Sequence, residues 1–114
     1  MKILLIANDY WNFYNFRKEL INKLLEDGYE IYLLAKKDQY INKFDNLDLN
    51  ILDLNYSSRS ISIFNDIVLI FKLFRIIKSI KPNLILTFTI KANIYASFLS
   101  KFLKISTINN ITGL

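Results

Sequence analysis

Asp9 is the first acid after the apolar run KILLIA, in a chain that contains neither histidine nor cysteine. A carboxylate in that place orients a sugar hydroxyl or accepts its proton, or else it caps the helix that follows; Asn8 stands beside it with an amide. Trp11, Phe13 and Tyr14 come next, and they either stack on a sugar face or an isoprenoid chain or pack as a hydrophobic staple at the helix start. Arg17 has a planar fork that matches phosphate oxygens, with a salt bridge to Glu19 or Asp9 as the alternative. Further on, TFTIKAN (87–93) joins a strand to a helix through Thr89, Lys91 and Asn93. A helix N-terminus favours an anion, so a lysine there is misplaced for the helix alone and gains a purpose if an anion binds; otherwise it is a solvated lysine. Lys72, Arg75 and Lys78 recur every three residues as one cationic stripe, fit to rest on anionic lipid or to be a solvated helix face.

Missing residue types narrow the chemistry. Without cysteine or histidine, disulfides, thiolate and imidazole metal ligands and cysteine nucleophiles are excluded, and any general base is a carboxylate or lysine or comes from another chain. The net charge of +5 favours an anionic partner: nucleic acid, a phosphorylated substrate or an anionic membrane face. Much of that charge is lysine in a chain also rich in isoleucine and asparagine, so compositional drift accounts for it equally well. With 114 residues, 53% hydrophobic and 22% charged, one globular domain with one core is expected. MKILLIA meets Asn8 and Asp9 too soon to be a signal-peptide core, and the run at 61–80 is broken by Asn65, Asp66, Lys72, Arg75 and Lys78, so no membrane span is expected.

The elements that must position these residues are written as alternating apolar runs and helical periods. Strands are expected at 2–7, 30–35, 49–54, 84–88 and 105–111, the pattern of βαβ units around a parallel sheet buried on both faces. A first helix is expected from Tyr14 or Asn15 to Asp27, ending at Gly28. A short helix or turn follows at 38–44. The loop NYSSRS offers hydroxyl caps to a long helix from about Ser62 to Ile80, stopped by Pro82, and a fourth helix runs from about Lys91 to Leu103. The Phe and Ile positions opposite the cationic stripe are expected in the core. The fold class is therefore α/β: a Rossmann-like open parallel sheet of about five strands with helices on both faces.

In such sheets ligands bind beyond the carboxyl ends of the strands near the switch point, which gathers three polar loops: Asn8 to Tyr14, Thr89 to Asn93, and Asn109 to Leu114. The first lacks the G-x-G-x-x-G of a dinucleotide cradle, and no Walker A sequence occurs. A receiver-like domain fits poorly, because Asp9 and Asp53 only loosely match its acid cluster and no Asp-Asp pair follows the first strand.

At these loops the chain resembles a family. KILLIANDYWNFYNFRKELINKLLEDGYEIYLLAKKDQY, KPNLILTFTIKANIYASFLSKFLKI and INNITGL are similar to the start of bacterial family 4 glycosyltransferases that extend lipid-linked surface or capsular sugars, with YNFR, TFTIKANIY and NITGL the most specific pieces. The resemblance implies the first part of a GT-B fold, in which the N-terminal domain holds the acceptor, often a sugar on polyprenyl diphosphate at the cytoplasmic membrane face. The C-terminal domain holds the nucleotide sugar. It implies retention of anomeric configuration, no bound metal or cofactor, and no nucleic-acid partner. By the same resemblance Asn8 and Asp9 are candidates for sugar contacts, Arg17, Lys91 and Asn93 for acceptor or phosphate contacts, and Tyr14 and Thr89 complete the acceptor set. Thr112 stands where many members carry histidine, so no catalytic residue is assigned.

The expectation is thus an N-terminal, acceptor-side portion of a membrane-associated glycosyltransferase, cytoplasmic and peripheral at the inner membrane face. Relatives continue past Leu114 through a glycine-rich loop to a donor domain with paired glutamates, so residues 1–114 are expected to be a truncated frame, a fragment or half of a split enzyme, inactive alone. The alternative is a non-catalytic accessory subunit that recruits a partner glycosyltransferase to anionic membrane, with Lys72, Arg75 and Lys78 facing the lipid.

Overall fold

The computed structural model describes the backbone of residues 1–53, 63–88 and 106–109, and the side chains of 1–53 and 67–88. Five strands, β1 (Lys2–Asp9), β2 (Glu30–Lys36), β3 (Asn50–Asp53), β4 (Leu84–Thr87) and β5 (Ser106–Asn109), form one sheet in the order β3-β2-β1-β4-β5. Every pairing is parallel. The chain builds outward from β1 through β2 to β3, returns, and builds the other way through β4 to β5. The switch point therefore lies between the carboxyl ends of β1 and β4.

Period two in β1 explains the layers. Ile3, Leu5 and Ala7 face one side, where they join Tyr10, Phe13, Ile21, Phe44 and Phe88 in one core. Leu4 and Ile6 face the other and pack with Leu69, Leu73, Ile77, Ile80 and Ile85. The second face is covered by the helix Ile63–Ile80, named α3; the first by α1 (Tyr10–Phe16), α2 (Lys18–Glu26) and a 3-10 turn at Ile41–Phe44. A strand buried on both faces has no polar side to offer, which is why the apolar runs here are continuous rather than alternating.

The first helix departs from expectation. It begins at Tyr10 rather than Tyr14 or Asn15, and it is broken at Arg17, where φ is −124° and ψ is 7°. Burial of Tyr10 and Phe13 draws the presumed loop into a helix, and Asp9 caps it. The far end behaves as expected: Gly28 adopts φ +87°, the Gly28 N–H donates to the Leu25 carbonyl and that of Tyr29 to the Leu24 carbonyl. That pair of bonds is the Schellman stop, which needs a residue without Cβ strain. Lys81 ends α3 in the same left-handed region, with φ 54°, immediately before Pro82. The fourth helix expected at 91–103 and the NYSSRS caps lie outside the described residues.

Candidate functional site at the switch point

β1 ends irregularly. Its register with β2 slips between Ile6 and Asp9, so one extra residue on β1 lies opposite the run from Leu34 to Lys36. Such a bulge re-aims side chains, and here it leaves Asn8 exposed and Asp9 half-buried at the sheet's carboxyl edge.

Of the two roles open to Asp9, the structure displays the cap. Its Oδ1 accepts from the Asn12 backbone N–H and from the Asn12 amide, both at 2.9 Å. Asp38, which follows β2, does the companion work: Oδ2 accepts from the Trp11 N–H and Oδ1 from the Tyr40 N–H, both at 2.8 Å. The first-turn N–H groups of Trp11 and Asn12 are therefore engaged by two carboxylates. Dinucleotide-binding folds set a pyrophosphate at this junction; here two negative charges occupy it. Asp53 accepts from the Lys37 N–H just past β2 at 3.1 Å. Asp38 was not expected to build the site, and Asp53 was weighed only as a loose match to a receiver-like acid cluster; the available signal was their place just past β2 and at the last position of β3.

The aromatic segment divides. Phe13 and Tyr10 are fully buried, and the Tyr10 hydroxyl reaches the Leu33 and Leu52 carbonyls, tying α1 to β2 and β3. Burial, foremost, and the charges of Asp53 and Asp38 raise the Tyr10 pKa above the ordinary 10. Tyr14 is half-buried against Tyr40, with the rings 5.5 Å apart, and carries Lys18 above its face at 4.9 Å. Trp11, 42% exposed, meets Phe16, 61% exposed, edge to face at 5.4 Å. Phe16 lies at helical spacing before Leu20 and Leu24, yet the break at Arg17, which is invisible in the periodicity, leaves it outward.

Arg17 crosses to β4. Its guanidinium lies 4.5 Å from the centre of the Phe88 ring, and the Phe88 N–H donates to the Ile6 carbonyl at 2.9 Å. The structure thus brings Asn8, Asp9 and Arg17 to the mouth between β1 and β4. Thr89, Lys91, Asn93 and Thr112 lie outside the described residues.

On the distant face of α3, Arg75 and Lys78 are exposed and Lys72 is half-buried. Leu69, Leu73 and Ile77 are core, yet Ile67 (44%) and Phe71 (64%), among the Phe and Ile positions expected in the core, are exposed, as is Val68 (49%). Val68, Phe71, Arg75 and Lys78 follow three- and four-residue steps, so they form one outward stripe. Among the described residues no helix is long and apolar enough to cross a membrane, and no group of three or more metal-ligating side chains occurs.

The family described as "Glycosyl transferase 4-like" matches residues 2–114. No curated protein matches the chain at a significant level. Similar solved structures include MurG of Acinetobacter baumannii (13% identity, TM-score 0.73, 95% of this chain and 33% of that one). A glycosyltransferase from Rickettsia africae is similar at 15% identity and TM-score 0.75, over 99% of this chain and 30% of its own. The UDP-GlcNAc 2-epimerase of Neisseria meningitidis, solved with UDP-GlcNAc, is similar at 17% identity and TM-score 0.71, over all of this chain and 33% of its own. Likeness at these identities establishes a shared fold, and the chain spans about a third of the length of each.

Proposed function

The chain belongs to the glycosyl transferase 4-like family, and from that premise we propose that residues 1–114 form the acceptor-side domain of a glycosyltransferase. The enzyme passes a sugar from a nucleotide sugar to a lipid-linked glycan acceptor in surface polysaccharide or capsule synthesis, with retention of configuration. The observation that carries this reading is the β1–α1 junction, whose N–H groups are held by Asp9 and Asp38 rather than offered to a phosphate. A nucleotide is poorly served there, whereas a hydroxylated sugar meets Asn8 and the edge of Asp9.

Arg17, Lys91 and Asn93 then hold the acceptor's phosphate, with Tyr14 and Thr89 beside it. The nucleotide sugar is bound by a second domain, in further chain or on a partner. Segment 1–114 alone transfers nothing, because the groups that stabilise the departing nucleotide diphosphate belong to that domain. The enzyme sits peripherally at the inner face of the cytoplasmic membrane, with the outward stripe of α3 against anionic lipid.

The test supplies a labelled nucleotide sugar and a polyprenyl-diphosphate-linked sugar to the chain, alone and together with a donor-side domain. Transfer only in the combined sample is the expected result. Transfer by residues 1–114 alone, or none to the lipid-linked acceptor in the combined sample, would overturn the proposal. A second reading, a non-catalytic subunit recruiting a glycosyltransferase to membrane, is favoured by the exposure of Ile67, Val68 and Phe71 beside Arg75 and Lys78. It requires a separate protein already active without this chain, whose rate the chain raises only when anionic vesicles are present.

A further inference from the structure

Two groups of large apolar side chains are exposed on helices among the described residues. Val68 and Phe71 share the outward stripe of α3 with Arg75 and Lys78. Trp11 and Phe16 are set differently. They belong to α1, whose residues YWNFYNF are aromatics and asparagines without one charged side chain. A helix face turned to solvent ordinarily carries charge; this one carries rings and amides.

The helical period divides α1 in two. Tyr10 and Phe13 are buried and Tyr14 is half-buried, on the side that reaches the core. Trp11, Asn15 and Phe16 are exposed and Asn12 is half-buried. Steps of three and four residues join Trp11 to Asn15, Asn12 to Asn15 and Asn12 to Phe16, so the four share the outward face.

That face is organised before any ligand arrives. The Trp11 N–H donates to Asp38 Oδ2 at 2.8 Å, and the Trp11 carbonyl accepts from Asn15 Nδ2 at 3.0 Å. The indole stands edge to face with Phe16 at 5.4 Å. Asn12 Nδ2 donates to Asp9 Oδ1 at 2.9 Å, so each amide is oriented through its nitrogen. Oδ1 of Asn12, Oδ1 of Asn15 and the Trp11 indole N–H then make no hydrogen bond among the described residues. Two acceptors and a donor are left beside two rings.

This set of groups selects its ligand. A ring covers the C–H face of a pyranose while neighbouring amide oxygens accept from its hydroxyls. A bare prenyl chain would bury those oxygens unpaired, at a cost, and an anion finds no cation on this face of α1. Prior ordering of the rings and amides lowers the entropy that binding would otherwise lose.

We propose that the outward face of α1 is a saccharide-binding platform: an uncharged sugar ring lies on Trp11, Phe16 braces the indole, and sugar hydroxyls donate to Oδ1 of Asn12 and Asn15. The platform rests on the acceptor reading above only for which glycan brings the sugar.

Trp11 is the chain's single tryptophan, so its fluorescence reads the platform alone. The probes are the methyl β-glycosides of glucose, galactose and N-acetylglucosamine, titrated into the chain. At least one is expected to change the Trp11 emission saturably, with a midpoint of about 10 mM; sorbitol, which has hydroxyls but no ring face, is expected to leave it unchanged. This titration needs no variant and is therefore untouched by any folding defect. Phe16→Ala and Asn15→Leu, both at exposed positions, are each expected to raise the midpoint about two- to tenfold. Asn15→Leu also separates the occupants, since it removes an acceptor and adds apolar surface that would favour the prenyl alcohol geraniol. No saturable response to any of the three glycosides, an equal response to sorbitol, a response to geraniol alone, or parent-like midpoints in both variants would overturn the proposal. In the chain combined with a donor-side domain, Phe16→Ala should raise KM for the lipid-linked acceptor and leave that for the nucleotide sugar unchanged. Glycoside binding with a rise in the nucleotide-sugar KM instead would keep the platform and reject the acceptor reading; transfer to the lipid-linked acceptor without any glycoside response would do the reverse.

Discussion

Asp9 shows how one residue can satisfy two sequence readings of which the structure displays one. Its Oδ1 closes the N-terminus of α1, and aspartate and asparagine are about equal as caps while alanine is poor. Asp9→Asn is therefore expected to leave the thermal midpoint of the chain almost unchanged, whereas Asp9→Ala should cost about 1 kcal/mol. Equal losses in the two would show that the charge, not the cap, stabilises the junction. Tyr10 makes the stronger contribution. Removing its hydroxyl in Tyr10→Phe takes away the single O–H donor that the buried Leu33 carbonyl and the part-buried Leu52 carbonyl share, at a cost of about 1–3 kcal/mol. Its pKa is raised above the ordinary 10, chiefly by burial. The folded state thus holds the proton more tightly than the unfolded chain. That contribution is complete below pH 10 and is lost as the pH rises past it. Denaturant midpoints at about pH 9 and about pH 11 should accordingly fall further for the parent than for Tyr10→Phe; parallel falls would contradict the assignment.

At the scale of elements, the strands and α3 were legible because their signals are local. Continuous apolar runs place β1, β2 and β4 within a residue or two, Gly28 places the end of α2, and Pro82 the end of α3. The α1–α2 break was not legible. Nothing in NFRKEL disfavours helix, and the bend comes from Tyr10, Phe13 and Ile21 all reaching one core beneath the sheet, a tertiary demand that overrides propensity. The same blindness hid Phe16 and the outward Phe71, since a periodic apolar residue reads as core until the axis is known. The α3 stripe carries its own prediction. Changing Lys72, Arg75 and Lys78 together to Glu should lower binding to vesicles containing anionic lipid by more than about tenfold, at roughly 1 kcal/mol per cation near the surface. Unchanged vesicle binding would remove α3 from the membrane side of the account.

Across the whole molecule, topology does what no single motif could. The order β3-β2-β1-β4-β5 sets the bulged end of β1 beside the end of β4, so a residue from the α1–α2 break and one from the edge of β4 meet although 71 positions separate Arg17 from Phe88. The βα alternation made a parallel sheet with helices on both faces readable in advance. The occupation of the first-turn N–H groups by Asp38 was not, because it depends on how the loop after β2 folds back over α1. The central claim is that this domain holds the acceptor and leaves the nucleotide sugar to another. Photo-crosslinking tests it most directly, in the chain combined with a donor-side domain, using a photoreactive polyprenyl-diphosphate sugar in one sample and a photoreactive nucleotide sugar in the other. The account predicts that the lipid probe labels peptides containing Asn8 to Arg17 and the β4 end near Phe88, and that the nucleotide probe labels the other domain. Nucleotide labelling concentrated on Asn8 to Arg17, with the lipid probe elsewhere, would contradict it.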